Sequence, residues 1–265
     1  MESANNSSPM GRIIPILIIF GGLVALYYLY QYLFGPKSSN VYTLISNTRP
    51  ATFDSTTAIT ITSDKLPVIY EGGEFTLSTW IYVNNWSYRQ GFNKSIVSIG
   101  GPNFDIIRVF LGGYKPSLNV RFQTETGESL NNNTRESSFN ELQSGSGLLD
   151  SSPLCDLPEI DLQRWVCITV AVNGKTVDVY YDGKLARSCV LPSFYKVDAG
   201  GYSAKLLAYG GFGGQISTTT IYDSALNPEQ AYKIYMAGPE PITDIISWLG
   251  SFITPGISVS VTQTK

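Results

Sequence analysis

Histidine is absent from the whole chain of 265 residues. That absence removes Ser-His-Asp and Cys-His nucleophilic catalysis, and every metal site built on imidazole. Charge is scarce as well: Asp, Glu, Lys and Arg make up 15% of the residues, against about 25% in an ordinary soluble domain. The 18 basic and 21 acidic residues leave a net charge of −3. Without a basic excess to displace counterions, nucleic acid is excluded as a partner. Ser, Thr, Asn and Gly fill the gap, a composition suited to an extracellular, lumenal or protein-covered surface. Cysteine occurs only at Cys155, Cys167 and Cys189, never as C-x-x-C, so redox and zinc readings are weak and at most one intrachain disulfide can form. Cys167 sits in an apolar strand pattern and reads as a buried thiol. Cys155 and Cys189 are the candidate pair, although spacing alone does not choose between the two partners open to Cys155.

What the chain does have is an apolar run at its amino end. Residues 1–12 form a polar tail. Ile13 to Phe34, "IIPILIIFGGLVALYYLYQYLF", carries no charge. As a helix this run is about 33 Å long, enough to cross a hydrocarbon core of about 30 Å. A cleaved signal peptide would end in small residues, whereas this run ends in Tyr27, Tyr28, Tyr30, Tyr32 and Phe34. Such rings suit a membrane–water interface. Pro15 falls in the first helical turn, where a missing N–H costs little. A single-pass anchor in a lipid bilayer, reaching from Ile13 to Phe34, is therefore expected. Arg12 and Lys37 flank it evenly, so the positive-inside rule assigns no orientation. Sequons at Asn85, Asn93 and Asn132 would be available on a lumenal face.

Residues 35–54, with Pro and Ser at both ends, read as a linker. Beyond them short strands alternate with turns. Strands are expected at 58–62, 75–83, 95–99, 106–111, 117–123, 164–172, 176–181, 185–190, 205–209 and 215–222. In "FTLSTWIYV", Phe75, Leu77, Ile81 and Val83 share one face while Trp80 and Tyr82 take the other, so both faces of this strand are expected to be covered. Around ten strands without intervening helices point to an all-β, two-sheet jelly-roll sandwich. The Ser/Asn/Gly-rich interval 124–162 is too long for an ordinary connection, and reads as either a contact loop or a mobile excursion. One helix is clear, opened by Asn227 and Pro228 and closed by Gly238.

Three segments in order, "GEFTLSTWIYVN", "RWVCITVAVNGKTVDVYYDGKL" and "GGFGGQISTTTIYDSALNPEQAYKIYMAG", resemble the laminin-G-like branch of the concanavalin-A-like lectin/glucanase fold. The resemblance covers residues 55–238. Asn173-Gly174 and Asp182-Gly183 supply hairpin turns within it. The resemblance implies a choice among glucanase, lectin and structural domain. Glucanase members carry an E-x-D-x-x-E strand on which two carboxylates flank a glycosidic bond. Here "EIDLQR" provides Glu159 and Asp161, but Arg164 stands in place of the last acid, so no catalytic residues are expected. Calcium, bound by many relatives, needs six to eight oxygens. Asp105, Glu125, Glu128 and Asp156 are scattered and read as solvated loop acids, so no metal and no cofactor is supported. For glycan stacking, Trp86 beside Asn85 is the candidate pair.

Residues 239–265 form a tail in which Ile245, Trp248, Leu249 and Phe252 lie at helical spacing. This amphipathic helix is too short to span a bilayer and would lie in an interface or dock on a partner. An anchored sandwich of this plan also resembles the membrane-anchored minor capsid components of large DNA viruses. That resemblance implies a non-catalytic tether between a membrane and other structural proteins, located at a virion membrane or capsid. The alternative is a glycan-binding module at a cell-surface or lumenal face, and a glycoside hydrolase comes third.

Overall fold

A computed structural model describes residues 9–34, 40–52, 58–126, 130–142 and 155–240. The chain divides into two units, residues 1–39 and 40–265. The first contains α1 (Pro9–Phe34), 26 residues long. It begins ahead of Ile13, so Pro15 falls past the first turn where the sequence reading placed it. Side chains are described from Ile18 to Tyr30 and all are exposed, Tyr27, Tyr28 and Tyr30 among them. The side chains of Ile13, Tyr32 and Phe34 lie outside the described set. Among the described residues no helix is long and apolar enough to cross a membrane. The stretch 18–30 is by itself shorter than the roughly 20 residues that a crossing needs.

The second unit is built from twelve strands among the described residues: β1 (Val41–Ile45), β2 (Arg49–Thr52), β3 (Ile59–Ile61), β4 (Glu74–Asn85), β5 (Lys94–Gly100), β6 (Asp105–Leu111), β7 (Leu118–Phe122), β8 (Trp165–Asn173), β9 (Thr176–Tyr181), β10 (Lys184–Val190), β11 (Ser203–Leu206) and β12 (Gly211–Tyr222). Two helices join them, α2 (Asn132–Asn140) and α3 (Pro228–Ala237). One sheet runs β1-β12-β4-β8-β9-β10, with β2 also on β12; the other runs β3-β11-β5-β6-β7. All pairings are antiparallel.

Period-two alternation makes the core. In the larger sheet Phe75 lies opposite Val172, Leu77 opposite Val170 and Ile81 opposite Val166. In the smaller sheet Ile107 opposes Phe122 and Val109 opposes Val120. These side chains belong to one buried cluster. At about 25 cal/mol per Å² of apolar surface, burying such a cluster is the main driving force for the sandwich. The β8–β9 turn closes at Gly174 (φ +60°) and the β9–β10 turn at Asp182-Gly183 (φ +50° and +72°), the left-handed pair that a tight hairpin requires. At Gly183 a Cβ would come within 2.9 Å of Tyr232 Cα, so glycine also lets this hairpin touch α3. That helix carries the expected cap: Asn227 and Gln230 exchange side-chain-to-backbone hydrogen bonds of 2.9 Å.

Three expectations change. The linker over 35–54 is in part sandwich: β1 and β2 both pair with β12, and Ile45 and Ala51 are buried. The strand expected at 205–209 stops at Leu206, because Leu207 and Tyr209 turn to positive φ in a short 3-10 turn. The interval 124–162 is not wholly structureless, since it contains α2 packed on the smaller sheet. Phe139 of α2 lies edge-on to Phe110 at 5.5 Å and stacks on Tyr209 at 5.5 Å. The tail residues Ile245, Trp248, Leu249 and Phe252 lie outside the described residues.

Candidate functional site

The outer face of the larger sheet is covered by α3. Trp80 stacks on Tyr235 at 5.8 Å, and Ala171, Tyr180 and Ala231 form a small buried cluster. Cys167 sits on this face beside Ser78 and Thr169. Burial pushes its thiol up to about 11, which leaves it protonated and unreactive at neutral pH.

The outer face of the smaller sheet holds the ionic chemistry. Arg108 and Arg121 are direct cross-strand neighbours, a repulsive arrangement unless each is paired. Asp105 supplies one counter-charge: its Oδ2 accepts from Arg108 Nε at 2.6 Å and from Arg135 Nε at 2.7 Å. Arg108 Nη2 also donates to the carbonyls of Leu130 and Asn131, at 3.0 and 2.9 Å. Asp156 pairs with Arg121 and accepts the Val120 N–H at 3.0 Å. Asp105 and Asp156 are therefore buried ion-pair partners, not the solvated loop acids expected. Arg108 lies three residues along the same strand as Asp105, but Arg135 comes from α2 and Arg121 from β7, and those partners spacing could not show. Burial pulls the Arg108 guanidinium below its ordinary value, against the pull of Asp105. Glu125 is exposed and Glu128 lies outside the described residues. Among the described residues no three acidic or cysteine side chains are grouped to hold a metal ion.

The sequence-derived ligand pair falls at the end of β4. Asn85 is exposed, while Trp86 is half-buried and packed against the core. Its Nε1 donates to the Tyr114 carbonyl at 3.3 Å, and the Lys94 ammonium sits 4.1 Å from the ring centroid. One ring face is thus occupied by a cation–π contact. Lys94 is fully buried and also donates to the carbonyls of Phe92, Gly112 and Gly113. Burial, aided by Arg89, lowers it to about 8. Of the sequons, Asn93 is buried, and the side chain of Asn132 is outside the described set.

Glu159 and Asp161 precede β8 in irregular chain, and both are exposed. Asp161 is bound by Arg164 Nε at 2.9 Å and by the Tyr181 hydroxyl at 3.0 Å. These bonds hold its carboxyl below the usual range. Cys155 and Cys189 are joined by a disulfide with a Cα–Cα distance of 5.7 Å, tying the chain before β8 to β10.

A feature the sequence reading missed is a cleft of 330 Å³ at one end of the smaller sheet. Gly100-Gly101 and Gly200-Gly201 form its walls, with Ser63, Tyr202, Ser203 and Lys205 around them. The two Gly-Gly doublets at strand ends were the available signal. A Cβ on Gly101 would fall 2.3 Å from the Gly201 carbonyl oxygen, so the walls approach only because glycine stands there.

Among the described residues, twelve antiparallel strands in two layers over one core define a two-sheet sandwich of the jelly-roll class. The family model described as the concanavalin A-like lectin/glucanases superfamily matches residues 53–231, and the chain belongs to that family. No curated protein sequence matches the chain as a relative. Among solved structures, the ligand-binding domain of botulinum neurotoxin serotype D in complex with N-acetylneuraminic acid is similar at 13% identity and a TM-score of 0.46. The likeness covers 77% of this chain and 47% of that one. The receptor-binding domain of botulinum neurotoxin D is similar at 14% identity and 0.49, over 77% and 49%. A Trypanosoma rangeli sialidase is similar at 12% identity and 0.41, over 65% and 24%. The chain spans less than half the length of each, and the likeness is one of fold.

Proposed function

We propose that this chain is a non-catalytic sandwich carried on an N-terminal membrane anchor, acting as a structural tether between a bilayer and a protein layer, as a minor capsid protein of a membrane-containing virus would. The observation that carries this reading is α1. A helix of 26 residues is about 39 Å long, and its described side chains from Ile18 to Leu29 are chiefly large apolar groups that stand exposed. Exposed apolar surface on that scale needs a lipid or protein cover. The non-catalytic part rests on the acids: Asp105 and Asp156 are spent on buried arginines, and Asp161 on Arg164 and Tyr181. Glu159 and Asp161 also lie off the strand on which a glucanase pair would stand.

The test is alkaline carbonate extraction of native membranes or particles, followed by cross-linking mass spectrometry. Retention in the bilayer with reproducible, stoichiometric protein neighbours is the expected result. Release by carbonate would remove the anchor, and a lack of reproducible neighbours would remove the tether. A second reading, recognition of a small glycan by the sandwich, is favoured by the 330 Å³ glycine-walled cleft.

A further inference from the structure

We infer that the cleft walled by Gly100–Pro102 and Gly200–Tyr202 is a binding site for a small hydroxylated monoanion, an acidic sugar unit, whose charge is received by Lys205. This names the ligand chemistry of the second reading above and rests on it. Its volume, 330 Å³, falls at the small end of the range for small-molecule sites, about 300–1,000 Å³, and matches a single sugar ring better than an extended chain.

The walls are held before any ligand arrives. Asp198, buried beneath them, accepts the Asn103 N–H at 2.7 Å, the Asn103 amide at 3.0 Å and the Gly200 N–H at 3.0 Å. One carboxylate thereby staples the turn after β5 to the turn before β11. Burial works against its charge, but the bonds from Gly200, Asn103 and Phe104 hold it below the ordinary carboxylate range. Its lone pairs are directed at those donors. A preorganised cleft of this kind loses little further entropy when a ligand binds.

Among the residues lining the cleft the charged one is Lys205. Lys205 is half-buried on β11 and has no ion-pair or hydrogen-bond partner among the described residues. Burial and then Arg135 disfavour its ammonium, with Asp105 opposing. Beside it, Arg108 and Arg135 share the single carboxylate of Asp105. Asp198 beneath the walls has its oxygens taken up by N–H donors, so it does not pair with the ammonium. An oxyanion in the cleft would give Lys205 the partner that the fold withholds. The Ser63 and Ser203 hydroxyls, likewise without side-chain partners among the described residues, are free to bond ligand hydroxyls. Tyr202 packs against the core and its hydroxyl is spent on Pro67 O at 2.6 Å and Ile69 N at 2.8 Å, so it braces the wall and does not offer its ring to the ligand. Two hydroxyls and an ammonium suit a sugar with one acidic substituent.

The test is calorimetric titration of the detergent-solubilised full chain with three probes: methyl glucuronide, methyl glucoside carrying a sulfate ester, and neutral methyl glucoside. At least one anionic probe should bind about tenfold or more tightly than the neutral one, the worth of a charge-assisted hydrogen bond. Lys205→Met should abolish that preference, and salt should weaken it in the unaltered chain. Binding of the carboxylate alone, the sulfate alone or both supports the site and identifies the anion. Equal binding of neutral and anionic probes would overturn the anion site while sparing the glycan reading. Binding by no probe would overturn both. Should Lys205→Met fail to fold, the salt dependence of the unaltered chain and Ser203→Ala decide: anion binding indifferent to both overturns the site.

Discussion

Asp105→Asn should be among the most destabilising single substitutions in the sandwich. Asp105 is 1% exposed and holds two guanidiniums, those of Arg108 and Arg135. The amide keeps the shape but removes the charge, so two buried cations lose the carboxylate they share. Breaking one side of a buried pair typically costs about 3–5 kcal/mol, because the remaining charge stays desolvated. For a unit of this size that corresponds to a fall in Tm of roughly 6–20 °C. The carbonyls of Leu130 and Asn131 still accept from Arg108, which favours the lower part of that range. Urea titration of the full chain in detergent, followed by tryptophan fluorescence, reads the loss directly. A second arm tests the cause: adding Arg108→Met and Arg135→Met to Asp105→Asn should recover much of the stability, since an apolar replacement of a whole buried cluster is often near neutral. A loss below about 1 kcal/mol, or no recovery in the triple variant, would refute the reasoning.

Two further outcomes follow from the same structure. The Cys155–Cys189 bridge closes a separation of 34 residues, so its reduction, or Cys189→Ser, should cost about 4 kcal/mol by loop entropy; an unchanged urea midpoint with reductant would contradict this. Lys94 is lowered from 10.5 to about 8 by burial and then by Arg89. Between those values the unfolded chain binds the extra proton, so this group's penalty is full below pH 8 and fades as pH rises toward 10.5. The stability of Lys94→Met relative to the unaltered chain should therefore fall as pH rises from 8 toward 10.5, since only the unaltered chain sheds this penalty. A difference independent of pH in paired urea titrations would count against it.

How far the pattern of residues reached is clearest in β4 and β8. Their alternating Phe, Leu, Ile and Val specify a strand, a face and a register partner, because side chains on a strand alternate strictly. Trp80 on the opposite face was legible as covered, though not by what. The asparagine cap and the Asn-Gly and Asp-Gly turns were legible because their chemistry is local. By contrast β1 and β2 looked like a linker. Each is short, and each pairs with a strand far along the chain, β1 through Val41 with Tyr222 and β2 through Arg49 with Ile216. No local signal announces such a pairing. α2 was hidden for a related reason: its sequence is polar, and it is a helix because Phe139 and Arg135 have a sheet to rest on.

The candidate sites divide in the same way. Missing histidines, the apolar run from Ile13 to Phe34, the sandwich and its hairpins were all determined by the amino-acid sequence, since each depends on composition or on neighbours a few residues apart. The burial of Asp105 and Asp156 as arginine partners, the Lys94 ammonium over the Trp86 ring, and the glycine-walled cleft beside Lys205 were decided only by tertiary structure. A charge's environment depends on which distant segments fold over it, and periodicity records the face a side chain takes but not what comes to lie against that face.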